Sequence, residues 1–301
     1  MVSSEQTSGR FESRDGTTLF FRAFPAGQER ARLVIAHGLG EHSGRYGHLA
    51  EHLVPGGLSI WAMDHRGHGQ SGGRRGHIRT FDEYLNDLYD FVVLCKKNAS
   101  REKKCFLLGH SLGGLMVLLF AGLYPKAVDG LIVSSPALGL NMAISRIKRW
   151  FGSLMSNLRP TLLLSNELDP AWLSHDKGVV QAYREDPLVH GRISVRWFAE
   201  FLSAMEKAAM MAPHLEVPVL MQVAGNDHLV DATVARGFFE SLSIRDKTLH
   251  IYDGLYHEIY NELETDRKRV IQDLTTWIES RLPSGSPVRA GHFDPAHSNM
   301  G

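Results

Sequence analysis

Apolar residues along this chain fall into short strand-like runs separated by longer segments with helical spacing. Phe11 to Phe24 reads as two strands around Arg14-Asp15-Gly16-Thr17, because an Asp-Gly pair is a strong signal for a tight hairpin turn. Further strand-like runs lie at Arg32 to Ala36, Leu58 to Met63, Lys104 to Leu108, Gly130 to Ser134, Pro218 to Ala224 and Thr248 to Tyr252. Helix-like segments separate most of them: Arg45 to Val54, Phe81 to Lys97, Leu115 to Tyr124, Ala232 to Leu242 and Thr265 to Leu282. Strand and helix in alternation predict an α/β fold with a mostly parallel sheet and helices on both faces.

The alternation breaks between Pro136 and Pro213, where the pattern is mostly helical and the turns contain Pro and Asp. This predicts a core formed by residues 1–136 and 214–282, interrupted by an insertion over residues 137–213. Val195 to Met211 is one clear helical piece of the insertion and Ile144 to Leu154 is another. In the second, Ile144, Ile147, Trp150, Phe151 and Leu154 share a face, and Arg146, Lys148 and Arg149 are available to the other. Such a helix either packs on the core or docks its apolar face into a bilayer surface. Residues 283–301 have the small, polar composition of a disordered tail, and there is no internal repeat.

Lys+Arg and Asp+Glu balance at 33 each, so no electrostatic footprint points to nucleic acid. Cys95 and Cys105 sit in apolar surroundings, which suggests buried free thiols and a reducing compartment. The first residues contain no apolar stretch of signal-peptide type, and the uncharged run Ser111 to Tyr124 is too short to cross a bilayer. The expectation is a cytoplasmic protein whose membrane contact is peripheral.

The pattern G-x-S-x-G occurs twice, around Ser71 and around Ser111. A nucleophile elbow needs a strand running into the serine and a helix leaving it, so that a strained turn lifts the hydroxyl clear of the sheet. Ser111 has both, between Cys105-Phe-Leu-Leu108 and the helix that Pro125 ends, whereas Ser71 lies among glycines and charges. A serine hydroxyl needs an imidazole to take its proton and a carboxylate to orient that imidazole. With the order Ser, acid, His on loops after strands, His257 is the base, in Asp253-Gly-Leu-Tyr-His257 after the last strand. Asp227, at the exit of Pro218 to Ala224, is the acid, and Asp231 is assigned to capping the helix from Ala232. The backbone N–H groups of Leu112 and of Leu39, in His37-Gly-Leu-Gly40, are the candidate oxyanion donors.

Two other motifs compete. Gly38-Leu-Gly-Glu-His-Ser-Gly44 approximates a dinucleotide loop, but its third glycine is one place late. His48-Leu-Ala-Glu-His52 matches a metalloprotease pattern without an evident third ligand, so no metal is assigned.

Taken together, His37-Gly-Leu-Gly-Glu-His-Ser-Gly-Arg-Tyr46, Asp64-His-Arg-Gly-His-Gly-Gln-Ser71, Gly109-His-Ser-Leu-Gly-Gly114 and Lys247-Thr-Leu-His-Ile-Tyr-Asp-Gly-Leu-Tyr-His257 resemble the monoglyceride lipases of the α/β-hydrolase superfamily. The similarity runs from about Phe11 to Leu282. The resemblance implies an eight-stranded sheet, a helical cap over the active site and cofactor-free hydrolysis of a monoacylglycerol. By position it puts Glu41, Arg45 and Tyr183 near the glycerol end. Tyr260 stands where these lipases often carry a second histidine, and is a further candidate for the head group. A lysophospholipase or general carboxylesterase with the same triad is the alternative, and a hydrolase-like binding protein is the non-enzymatic one.

Overall fold

The computed structural model describes residues 6–97, 103–141 and 155–283. Its sheet has eight strands in the order β1-β2-β4-β3-β5-β6-β9-β10. The Asp15-Gly16 turn, with Gly16 at φ 81°, joins β1 (Thr7–Glu12) to β2 (Thr18–Phe24) in the expected antiparallel hairpin. β2 also runs antiparallel to β4 (Leu58–Met63). From there inward every pairing is parallel, through β3 (Ala31–Ala36), β5 (Lys104–His110), β6 (Gly130–Ser134), β9 (Val219–Ala224) and β10 (Lys247–Tyr252).

All six residues of β3 and of β9 are buried, which is why these strands read as continuous apolar runs without alternation. The two faces support separate cores. Val34, Leu107, Leu131 and Met221 belong to the one built with α2 (Asp82–Lys97) and α3 (Leu112–Leu123). Leu33, Leu108, Ile132 and Leu220 belong to the other, with α1 (Gly47–Leu53) and the C-terminal helix Glu264–Glu279. α2 carries Asp82 and Glu83 in its first turn and Lys96 and Lys97 in its last, complementing its dipole at both ends.

Among the described residues, the insertion between β6 and β9 is not wholly helical. It holds a two-stranded antiparallel ribbon of β7 (Leu163–Ser165) and β8 (Arg192–Ser194), then α4 (Lys177–Glu185) and α5 (Val195–Met211). Strands of three residues are too short to show a period-two pattern, and α4 is mostly polar. α5 is the helix expected at that position, with Ser194 Oγ capping it by accepting from Trp197 N at 3.0 Å. It is anchored to the core through Trp197, whose Nε1–H donates to the buried Tyr84 hydroxyl at 2.9 Å. The amphipathic segment Ile144 to Leu154 lies outside the described residues, as does the tail from residue 284. Two further helices follow β9: α6 (Ala232–Ser241), and α7, the helix Glu264–Glu279.

Candidate active site

β5 delivers the chain to Ser111 and α3 carries it away. Ser111 sits at φ 53° and ψ −113°, a conformation that costs a non-glycine residue about 1–3 kcal/mol. The surroundings over-determine it. Ser111 N donates to Ser134 O at 2.9 Å, and its carbonyl accepts from Leu115 N at 3.1 Å and Ala137 N at 3.0 Å. The flanking glycines let backbone meet backbone. A Cβ at Gly109 would lie 2.2 Å from Gly113 O, and one at Gly113 would lie 2.0 Å from Ala36 O, at the end of β3. The strand-to-helix turn therefore rests directly on the neighbouring strand, a contact no other residue permits.

His257 follows β10 and Asp227 follows β9, and both are buried. Parallel pairing of the two strands brings their following loops together. His257 Nδ1 donates to Asp227 Oδ2 at 2.6 Å, while Asp227 Oδ1 accepts from Leu229 N at 2.8 Å and Val230 N at 3.0 Å. That assignment of the proton leaves His257 Nε2 as the free ring nitrogen. Burial works against a charged His257, but the charge and hydrogen bond of Asp227, followed by the charges of Glu258 and Glu41, raise its pKa above 6.5. For Asp227, burial is likewise outweighed, by His257 and the two N–H donors, and its pKa falls below 3.8. His110, whose ring centre is 4.8 Å from that of His257, is pushed down to about 3 by burial and then by His257, so it is neutral.

Ser111 and His257 line one cavity, with the Leu39 and Leu112 backbones beside them. Leu112 is the first residue of α3, so its N–H has no helical acceptor. Among the described residues neither this N–H nor that of Leu39 meets a hydrogen-bond acceptor. The Leu39 loop is fixed from several sides. Gly38 N donates to Glu41 Oε1 at 2.5 Å, and His190 N, from the insertion, donates to Gly40 O at 2.9 Å.

The cavity has a polar end formed by Glu41, Tyr183 and Glu258, and apolar walls that include Leu140, Ile193, Phe198 and Val230. Arg45 stands behind the polar end, held between the carboxylates of Glu41 and Glu258 with its guanidinium 4.9 Å from the centre of the Tyr183 ring. Glu258 escaped sequence reasoning, since a buried acid in a loop leaves no periodic signal; its one clue is that it directly follows His257.

Tyr260 requires a correction. Its hydroxyl donates to Gln222 Oε1 in the buried network that continues to Tyr252 and Asp273, and it does not line the cavity. The reason is geometric: residues 259–261 form a helical turn that directs Tyr260 into the core on the far side of the loop.

Ser71 is a loop brace, accepting from Phe20 N at 2.8 Å and donating to Asp64 O at 2.5 Å. Asp231 caps α6 by accepting from Thr233 N at 2.8 Å. His52 Nδ1 turns back to donate to His48 O at 2.8 Å, and among the described residues no group of three His, Cys, Asp or Glu side chains is placed to hold a metal ion. Cys95 and Cys105 are free and buried.

Comparison with known proteins adds an independent line. A family model described as serine aminopeptidase, S33, matches residues 27–264. The monoacylglycerol lipase of Mycolicibacterium smegmatis is 32% identical over 284 residues, covering 94% of this chain and all of that protein. Phospholipase YtpA of Bacillus subtilis is 33% identical over 238 residues, covering 78% of this chain and 91% of that one. Among solved structures, the Paleococcus ferrophilus monoacylglycerol lipase superimposes with a TM-score of 0.77 at 34% identity, over 91% of this chain and 98% of that one.

Proposed function

The chain belongs to the monoglyceride lipases within the serine aminopeptidase S33 family, and so to the carboxylic ester hydrolases of α/β-hydrolase fold; from that premise we propose that it cleaves monoacylglycerols to fatty acid and glycerol through an acyl-enzyme. Ser111 Oγ attacks the ester carbonyl as His257 Nε2 takes its proton. Asp227 holds the imidazole by Nδ1 and stabilises the imidazolium. The Leu39 and Leu112 N–H groups receive the oxyanion. His257 then returns the proton to the departing glycerol oxygen and activates a water that releases the fatty acid. No cofactor enters this scheme.

The observation that carries the reading is the 2.6 Å His257–Asp227 bond beside a strained Ser111 that faces the same cavity. The apolar walls suit an acyl chain, and the polar end suits a hydroxyl-bearing alcohol. The likeness to a phospholipase favours a second reading, a lysophospholipase using the same residues. A panel of monooleoylglycerol, lysophosphatidylcholine and p-nitrophenyl butyrate decides between them. Highest kcat/KM on monooleoylglycerol supports the first reading, and highest on the phospholipid replaces it with the second.

We also propose peripheral membrane contact through the insertion, because Leu158, Leu162 and Leu164 are exposed and follow closely in sequence on Ile144 to Leu154, whose residues have an amphipathic pattern. No described helix is long and apolar enough to cross a membrane. Changing all three leucines to serine should abolish flotation with liposomes while hydrolysis of a soluble ester continues. Unchanged flotation refutes the contact.

A further inference from the structure

Arg45 commits its guanidinium to two carboxylates from opposite sides of the candidate active site. Nη1 donates to Glu41 Oε2 at 2.8 Å and to Glu258 Oε1 at 2.5 Å, and Nη2 donates to Glu258 Oε2 at 2.7 Å. Glu41 ends the loop that carries Leu39, and its Oε1 also accepts from Gly38 N and from the Tyr46 hydroxyl at 2.8 Å. Glu258 is bonded covalently to His257. Its Oε2 also accepts from Asn261 Nδ2 at 2.9 Å, and its backbone N–H donates to Leu173 O at 2.8 Å. One side chain thus joins the oxyanion loop to the loop of the general base.

We infer that Glu41, Arg45 and Glu258 form an ionic strap that sets the spacing between the Leu39 N–H and His257, with Arg45 acting as a positioning residue and not as a ligand of the substrate's alcohol group. This rests on the ester-hydrolase reading of Ser111 and His257. Arg45 does not line the cavity, and withdrawing any of the three N–H groups committed here to reach a substrate would break a charge-assisted bond inside a buried site and leave a carboxylate partly unpaired, which is strongly unfavourable. The planar fork of arginine spans both carboxylates at once, which the single ammonium of lysine does not do in the same geometry. Displacing a catalytic group by about 1 Å costs roughly 100-fold in rate, so a strap of this kind governs turnover without touching substrate.

The test compares the full-length protein with Arg45→Lys and Glu258→Gln on monooleoylglycerol and on p-nitrophenyl butyrate, which has no glycerol. The strap predicts that kcat falls by the same factor on both esters, about 10- to 100-fold, with KM nearly unchanged. Glu258→Gln adds a signature that simple destabilisation lacks. The charged groups around His257 are Asp227, Glu258, Glu41, whose burial pushes its carboxyl above the usual range, and Arg45 held between the two glutamates, while His110 beside it is neutral. Removing one anion makes the imidazolium less stable, so the acidic limb of kcat/KM moves to lower pH. This variant keeps the side chain's shape, so it carries the test if Arg45→Lys does not fold. A rise in KM confined to the glycerol ester overturns the strap and makes Arg45 a head-group ligand. A lower melting temperature with kcat and the acidic limb both unmoved overturns it in favour of a purely structural ion pair. If the unaltered protein shows no Ser111-dependent hydrolysis, the function reading itself fails, and the strap with it.

Discussion

Replacing Ser111 by glycine should make the protein more stable than replacing it by alanine, although both replacements remove the hydroxyl. Ser111 is held at φ 53° and ψ −113°, where a Cβ is crowded and glycine is not. Relief of that strain is worth about 1–3 kcal/mol. Against it stands the extra freedom glycine gives the unfolded chain, about 0.4–1 kcal/mol. The Ser111 side chain makes no capping bond to α3, so no such interaction is lost differently in the two variants. The balance is about 0.5–2 kcal/mol in favour of Ser111→Gly over Ser111→Ala. An unfolding entropy of about 2 cal/mol/K per residue converts this into a melting temperature about 1–3 °C higher. Scanning calorimetry on the two variants, with urea titration as a second measure, reads the difference without interference from activity, since neither variant turns over. If Ser111→Gly melts below Ser111→Ala, the backbone at position 111 is not strained.

Activity should rise with pH through an acidic limb centred above 6.5, because the base must be neutral and its neighbours raise its pKa; a limb centred below 6.5 contradicts this electrostatic picture. Asp227→Asn should cut kcat about 10,000-fold by losing the tautomer and the imidazolium's partner, measured against near-unchanged circular dichroism. Tyr260→Phe removes the donor to Gln222 Oε1 and should cost about 1–2 kcal/mol of stability, with equal small effects on glycerol and non-glycerol esters; a selective loss on the glycerol ester would restore its head-group role. Arg66→Met takes the cation from buried Asp87, which Arg66 grips at 2.6 Å through both Nε and Nη2, leaving it the Ser13 hydroxyl, and should cost about 3–5 kcal/mol in urea denaturation.

The parallel sheet was legible because strands buried on both faces appear as unbroken apolar runs, and the meeting of Asp227 with His257, though not their roles, because loops after such strands occupy predictable ends of a sheet. Ser111 stood out from Ser71 by its flanking strand and helix, and the close approaches at Gly109 and Gly113 show what the glycines of that motif are for. Pairings across large sequence distances leave no local trace. Glu258 meets Arg45 across 213 positions, and Tyr260 meets Gln222 across 38, so the first was missed and the second was misplaced. The β7–β8 ribbon was hidden for another reason: a three-residue strand is shorter than the window in which alternation can be recognised.

The claim that Ser111 is the acylated nucleophile is tested most directly by peptide mass spectrometry after labelling with a fluorophosphonate. A single stoichiometric adduct is expected on the peptide containing Ser111, absent from Ser111→Ala and retained in Ser71→Ala. An adduct that persists in Ser111→Ala, or one that maps to Ser71, would contradict it.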